Sequence, residues 1–122
     1  MSFDWGPHFI VPSESLKSFS GIVRLRESLD EELLHRELED LGVSGAVVKI
    51  TNPWYYRKKD TVTWIKIGES DDREENFPVR WETSNLENGN YEVLGLMHVS
   101  VLDREIEHII ARQNIVEVSI HN

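Results

Sequence analysis

The stretch RWETSNLENGNYEVLGLMHVSV, residues 80 to 101, contains the most informative turn of the chain. It joins a tryptophan-containing segment to a long alternating apolar run through the sequence Leu-x-Asn-Gly-x-Tyr. Asn88 and Gly89 are residue types that tolerate a positive φ angle in a tight turn. In β-sandwiches such a turn can precede a tyrosine that folds back onto the preceding corner. If this chain is a sandwich, we expect Leu86 to anchor the corner and a buried Tyr91 to bond backbone near residues 86 to 88 through its hydroxyl.

Apolar residues recur with a period of two from residue 43 to the C-terminus, which is the spacing of β-strands. The segment REIEHIIARQ, residues 104 to 113, is compatible with either a strand or a short helical turn. Several strands without helices between them predict an antiparallel sandwich rather than an α/β fold. The five candidates are GAVVKIT, TVTWIKIG, FPVRWET, YEVLGLMHVSV and NIVEVSIHN.

The alternation also predicts which residues share a face of each strand. In FPVRWET, Phe77 and Val79 fall on the same side as Trp81. In YEVLGLMHVSV the odd-numbered residues form the apolar face, interrupted by Gly95. His98 falls on the other face, with Leu94, Leu96 and Ser100, and is expected at the surface or at an interface.

An amphipathic helix is predicted upstream, in SLDEELLHRELEDLG. Ser28 and Glu31 form a capping box, and Gly42 is a natural stop, so the helix should span about residues 29–41 within a segment 28–42. We expect at least two of three leucines to pack on the protein's own sheet, with a partner-docking stripe as the alternative; they are Leu33, Leu34 and Leu38. Residues 1–27 form an N-terminal extended segment, in which SGIVRL fits a first strand.

Composition limits the class of protein and the class of partner. The chain has 122 residues, 39% hydrophobic residues and no cysteine, which suits one globular domain without disulfides. Its formal net charge of −9 disfavours nucleic acid and anionic membranes as partners. Neither a secretory signal nor an apolar run of about 20 residues is visible. We expect a cytoplasmic protein, or an extracellular one if the chain is a fragment of a larger secreted protein.

The segment from FPVRWETSNLENGNYEV to the C-terminus resembles the bacterial immunoglobulin-like domains. Their pattern is Trp-Asp-Thr-Thr/Ser, then Leu-x-Asn-Gly-x-Tyr, an alternating strand, a hairpin and a final Val-x-Val strand. Here residues 81–84 read Trp-Glu-Thr-Ser and residues 116–118 read Val-Glu-Val. The structural residues that match the pattern are Trp81, Leu86, Asn88, Gly89 and Tyr91.

The resemblance covers about residues 43–122 and implies an immunoglobulin-like antiparallel β-sandwich, here with one N-terminal α-helix. The domains of this family are typically noncatalytic spacer, adhesion or assembly modules. The helix at about residues 29–41 and the segment TNPWYYRKK depart from the usual pattern.

The sequence carries no pattern typical of a catalytic or a metal-binding site. The five histidines are scattered, without the His-x-x-x-His spacing of a metal site. Ser100, Asp103 and His108 have the residue types of a hydrolytic triad, but Ser100 lies in mid-strand without a nucleophile elbow. We therefore expect a protein that is not an enzyme and that uses no cofactor.

The best candidate for a binding surface is NPWYYRKK, residues 52 to 59, where three aromatics precede three cations in an acidic chain. Neighbouring residues of a strand face opposite sides, so at least one aromatic should point outward. Aromatic residues and arginine are enriched at interface hot spots. The alternative is that two aromatics fill the core while the cations keep a loop soluble. The interface candidates are Trp54, Tyr55, Tyr56, Arg57, Lys58 and Lys59.

Three functional classes fit these observations. The first is a noncatalytic protein-interaction or structural module that binds a protein partner or itself, as a subunit of a larger assembly. The second is a carbohydrate-binding module, since exposed Trp and Tyr platforms on a sandwich can stack on sugars. The third is an acidic inhibitor that mimics nucleic-acid charge, although the acidic residues here alternate with basic ones. We favour the first.

Overall fold

The computed structural model describes residues 2 and 3 and residues 18 to 122, and the remaining part of the predicted N-terminal extended segment lies outside the described residues. Over these described residues the fold is mainly β with one helix, as the periodicity predicts. In chain order the elements are β1 (Ser2–Phe3), β2 (Ser18–Phe19), β3 (Ile22–Leu25), α1 (Glu31–Asp40), β4 (Ala46–Lys58), β5 (Ile65–Ser70), β6 (Val79–Glu82), β7 (Gly89–Asp103) and β8 (Ile106–Ile120).

The strands form two sheets. The long sheet has the order β1-β8-β7-β4-β5, and β2 also lies along β8. The small sheet is the antiparallel pair β3–β6. The long strands β4, β7 and β8 pair antiparallel, whereas the short β1 and β2 join β8 in parallel. The small sheet packs on one half of the long sheet, giving the predicted sandwich.

The segment 104 to 113, ambiguous in sequence, is the start of the hairpin strand β8. Asp103 pairs with Ile106, and the two residues between them, Arg104 and Glu105, have φ angles of 50° and 69°. Positive φ at both central positions is typical of a two-residue type I′ turn, whose twist matches that of the flanking strands. The hairpin then continues with unbroken register to the pair of Gly89 and Ile120.

Two hydrophobic clusters lie side by side on one face of the long sheet, which we call the inner face. The first core lies under the small sheet and consists of Val23, Leu25, Trp54, Trp81, Tyr91, Val93, Val118 and Ile120. The second core lies under α1 and consists of Leu34, Leu38, Ile50, Phe77, Met97, Val99, Val101 and Ile110. The prediction that at least two leucines of the helix are buried is therefore confirmed by Leu34 and Leu38.

The start of α1 differs from the predicted one. The N-cap is Asp30, whose carboxylate accepts a hydrogen bond from the Leu33 N–H at 3.0 Å, rather than Ser28. The Ser28 carbonyl instead accepts from the Arg112 guanidinium, and the Glu27 N–H donates to the Asn76 carbonyl. These long-range bonds hold residues 27 and 28 extended along the sheet, so the helix begins only after them.

The end of α1 lies where it was predicted. Gly42 has a φ of +69°, and its N–H donates to the Glu39 carbonyl. The next N–H, of Val43, donates to the Leu38 carbonyl. This pair of bonds is a Schellman motif, which needs a residue without a side chain at the left-handed position.

The predicted tyrosine corner is present between β6 and β7. Tyr91 is buried, and its hydroxyl donates to the Glu87 carbonyl at 2.8 Å. Leu86 packs against the first core, and Gly89 adopts a positive φ. Asn88 ties the corner to the C-terminus, because its side-chain oxygen accepts from the Asn122 N–H at 2.8 Å.

We expect Tyr91→Phe to lower the free energy of unfolding by about 1 to 3 kcal/mol, because it removes the donor that satisfies the Glu87 carbonyl while keeping the ring. Urea unfolding followed by circular dichroism measures this loss. An unchanged unfolding midpoint would show that solvent satisfies the carbonyl and that the hydroxyl does not stabilise the corner.

Two strands begin later than predicted. β5 starts at Ile65 rather than near Thr61, and Val62 is 88% exposed. β6 starts at Val79, so Phe77 does not share a strand face with Trp81. Phe77 has a φ of 54° and its N–H closes a turn onto the Asp72 carbonyl, which directs its ring into the second core.

Candidate functional site

The segment NPWYYRKK forms the end of β4, and its aromatic residues are divided between the two faces of the long sheet. Trp54 has no exposed surface, and its indole N–H donates to the Phe77 carbonyl at 3.1 Å. The indole fits because it lies opposite Gly95, where a Cβ atom would be only 3.2 Å from Trp54 Cζ3. The prediction of Trp54 as an interface residue is therefore wrong, because its position is on the inner face.

Tyr56 also points inward, two residues after Trp54. Its ring lies 5.3 Å from that of Trp81 and 6.3 Å from that of Tyr91, forming an aromatic group within the first core. Tyr55, between the two inward residues, is half-buried on the opposite face. Two aromatics thus fill the core and one points outward.

The three cations of the segment all have carboxylate partners. Arg57 Nε lies 3.0 Å from Glu92, and its guanidinium also covers the Trp64 ring at 4.1 Å from the centroid. Lys58 and Lys59 pair with Glu87 and Glu117, at 2.6 Å and 3.1 Å. Because each positive charge is matched by a negative one, the segment is not a basic patch.

The outward aromatic belongs to a broader apolar surface, the outer face of the long sheet, which is the side opposite the two cores. Tyr55 pairs across the ladder with Leu94, and Leu94 pairs with Ile115. Such cross-strand partners on one face lie about 5 Å apart at Cβ and contact each other. Leu94 is only 7% exposed between its two partners, whereas Ile115 is 45% exposed. Ile109, on the same face of β8 and six residues before Ile115, is 59% exposed.

Ion pairs border this apolar surface at one end. We call them the ionic rim, defined as Arg57–Glu92, Lys59–Glu117 and Lys66–Glu69. The rim contains as many carboxylates as cations. The outer face is therefore locally neutral on a chain with a formal net charge of −9.

A polar cluster is buried between the two cores, consisting of Glu27, Asn52, Arg112 and Asn114. The Glu27 carboxylate accepts from the Asn114 amide at 2.6 Å, and Arg112 lies 3.9 Å from it. Burial raises the pKa of Glu27, while the Asn114 bond and the Arg112 charge lower it in part. Gly95 closes the cluster from the sheet side, since a Cβ there would lie 2.7 Å from the Glu27 carboxylate. These contacts make the cluster a structural link between sheet, helix and β3.

The three residues of the candidate hydrolytic triad, Ser100, Asp103 and His108, are not brought together. Ser100 pairs with Ile109 on the outer face, whereas His108 pairs with Val101 on the inner face. The Asp103 carboxylate accepts from the Ser44 N–H. Within residues 18 to 122, no group of three or more His, Asp or Glu side chains is arranged to hold a metal ion.

Comparison with known proteins found no matching family model, no matching curated protein and no matching solved structure. The resemblance to bacterial immunoglobulin-like domains therefore stays a prediction. Among the helices of the described part of the chain, none has the length and apolar character needed to cross a membrane.

Of the outer-face residues, Tyr55 was an interface candidate from sequence, whereas Ile109 and Ile115 were not, and the buried polar cluster was missed. The sequence nevertheless contained a signal for the outer face. In β7 the odd-numbered residues are already apolar, and Leu94 and Leu96 make the opposite face apolar as well. A strand that is apolar on both sides has either two covered faces or one face available to a partner. The buried pairing of Glu27 with Asn114 had no sequence signal, since the two residues are 87 positions apart.

Proposed function

We propose that this protein is a noncatalytic interaction module that self-associates through the outer face of its long sheet. The observation that carries the proposal is an apolar row across the outer face, formed by the half-buried Tyr55, the buried Leu94 and the exposed Ile115, with the exposed Ile109 further along the same face. Clustered exposed apolar side chains rimmed by polar groups mark protein interaction surfaces. The register of the long antiparallel strands β4, β7 and β8 fixes which side chains lie beside each other on this surface.

The charge distribution favours a second copy of this chain as the partner. Two molecules that each carry a net charge of −9 repel one another over most of their surfaces. The ionic rim is neutral. Two copies that approach through their outer faces therefore repel each other less than two copies that approach through other parts of their surfaces. In a dimer with twofold symmetry, the same surface patch of each subunit packs against its copy on the other subunit.

The carbohydrate-binding alternative has weaker support, because it requires exposed tryptophan and tyrosine rings that can stack on sugars. Trp54 is buried, and the Arg57 guanidinium covers one side of Trp64. The charge-mimic alternative is also weakened, because the carboxylates near Tyr55 are paired with cations rather than forming an acidic strip.

Ile115→Asp tests the proposal by placing a charge in the centre of the proposed contact. We expect its self-association to be at least about 30-fold weaker than that of the wild type, since a hot-spot side chain contributes roughly 2 kcal/mol or more. The substitution appears twice in a symmetric dimer, which enlarges the effect. Sedimentation velocity over a concentration series measures the dissociation constant.

The matched control is Val62→Asp, which adds the same charge at an 88% exposed valine outside the strands. It should associate like the wild type, and circular dichroism should show that both variants are folded. A wild type that stays monomeric at all concentrations would contradict the proposal. So would equal association of folded Ile115→Asp.

A further inference from the structure

A second surface, on the exposed side of the small sheet, places two arginines directly opposite each other. Arg24 of β3 and Arg80 of β6 are register partners, and both are exposed. Arg26, two residues after Arg24, is exposed as well. Two guanidinium groups thus face each other on the small sheet of an acidic protein, and a third exposed arginine follows directly after β3.

The hydrogen-bond pattern brings the facing arginines close together. The Thr83 N–H donates to the Gly21 carbonyl at 2.9 Å, so Gly21 and Thr83 are a hydrogen-bonded pair. Pairs alternate along an antiparallel ladder, which makes Arg24 and Arg80, three rungs away, a non-hydrogen-bonded pair. In such a pair the Cα atoms are only about 4.5 Å apart, and like charges facing each other are destabilising.

The surrounding residues neutralise this repulsion only in part. Within residues 18 to 122, neither Arg24 nor Arg80 forms a salt bridge. Glu82, two residues from Arg80 on β6, interacts with the Arg80 charge, but its carboxylate is held by hydrogen bonds from the hydroxyl and the N–H of Ser84. Two facing arginines that repel each other and form no salt bridge are suited to binding an external anion.

The shape and polarity of the site indicate what kind of anion fits. Arg24 and Arg80 line an open depression of about 650 Å³ together with the apolar residues Ile22, Pro78 and Val79. Ile22 is 50% exposed. A ligand that matches this lining carries carboxylates and an apolar group side by side, as an acidic peptide does.

The free edge of β3 adds a way to hold such a peptide. Because Gly21 bonds across to β6, the backbone groups of Ile22 and Arg24 point to the other edge of β3. In the described part of the chain, β6 is the single strand that pairs with β3. An extended peptide can add to an exposed strand edge through main-chain hydrogen bonds, with its side chains giving specificity.

We infer that the Arg24–Arg80 pair and the edge of β3 form a binding site for an extended acidic segment of a partner protein. Guanidinium groups bind carboxylates in a bidentate manner, and two adjacent ones suit a segment in which acidic and apolar residues alternate. A nucleic acid fits less well, because its backbone carries one negative charge per nucleotide and is repelled by the net charge of −9 more strongly than a segment in which apolar residues alternate with acidic ones. This site is separate from the outer face and does not depend on self-association.

The test uses a fluorescent, end-capped peptide of alternating glutamate and valine, titrated with the full chain and followed by anisotropy. Arg24→Gln and Arg80→Gln should each weaken binding at least about tenfold, the effect of losing one charge-assisted contact. Arg104→Gln is the matched control, because it removes an exposed arginine in the turn between β7 and β8 and should bind like the wild type.

Thermal unfolding separates a binding role from a structural one. If the arginine pair serves binding, Arg24→Gln should keep or raise the midpoint temperature, because it relieves repulsion between like charges. Absence of peptide binding, or binding unchanged in both variants, would overturn the inference. Tighter binding of inorganic phosphate or of a short single-stranded oligonucleotide than of the peptide would overturn the assignment to an acidic protein segment.

Discussion

Arg112→Met is expected to lower the free energy of unfolding by about 3 to 5 kcal/mol at pH 7, the usual cost of removing one partner from a buried ion pair. Arg112 and Glu27 have no exposed surface and lie 3.9 Å apart. The substitution also removes the donor to the Ser28 carbonyl, which holds the chain on the sheet before α1 begins. What remains is a buried carboxylate without its main counter-charge.

The loss of unfolding free energy caused by Arg112→Met should become smaller as the pH falls. Burial raises the pKa of Glu27 above the ordinary value of 4.5, so folding favours the protonated form. The stability linked to this group is therefore full below pH 4.5 and is lost as the pH rises through the folded-state pKa. Without the Arg112 charge that pKa rises further, so the variant gains more than the wild type on acidification.

Urea unfolding of both proteins at pH 7 and pH 5 measures this difference. Arg36→Met, on the exposed face of α1, is the control and should change stability by less than about 0.5 kcal/mol. The double variant Glu27→Gln/Arg112→Met should recover part of the loss, because no charge is then left buried. A deficit that is the same at both pH values would contradict the pairing of Arg112 with Glu27.

Trp54→Ala should destabilise the protein by about 3 to 5 kcal/mol, as large-to-small substitutions of buried tryptophan do. The indole has no exposed surface, fills the space above Gly95 and donates to the Phe77 carbonyl. Its neighbour Tyr55 provides the matched comparison, because it is half-buried on the outer face. Tyr55→Ala should cost about 1 kcal/mol in stability and weaken self-association instead.

Urea unfolding and sedimentation velocity on the two variants separate these effects. The expected pattern is a large loss of stability for Trp54→Ala and a large loss of association for folded Tyr55→Ala. If Trp54→Ala had near wild-type stability and weakened self-association, this would indicate that Trp54 lies at the interface and would contradict its burial in the core.

The elements that sequence predicts best here depend on local chemistry. The helix stop at Gly42 and the tyrosine corner from Leu86 to Tyr91 need only residues a few positions apart. The period-two pattern likewise locates the long strands, because alternation reflects one buried face along each strand.

Features that depend on distant partners could not be predicted in the same way. Three adjacent aromatics require alternate faces, but which of them turns inward depends on the pairing of Trp54 with Gly95. The start of α1 depends on Arg112 holding Ser28, 84 residues away. The facing arginines of the small sheet follow from the register of β3 on β6, and no local pattern encodes it.

The most direct test of the proposed self-association is an isotope-filtered NOE measurement on a sample that mixes labelled and unlabelled chains. It reports contacts between subunits and no others. We predict intermolecular NOEs from the methyl groups of Leu94, Ile109 and Ile115 to the same face of the second copy, including the Tyr55 ring. Intermolecular NOEs confined to another surface, or none at concentrations where the chain sediments as a dimer, would contradict the assignment of the outer face as the interface.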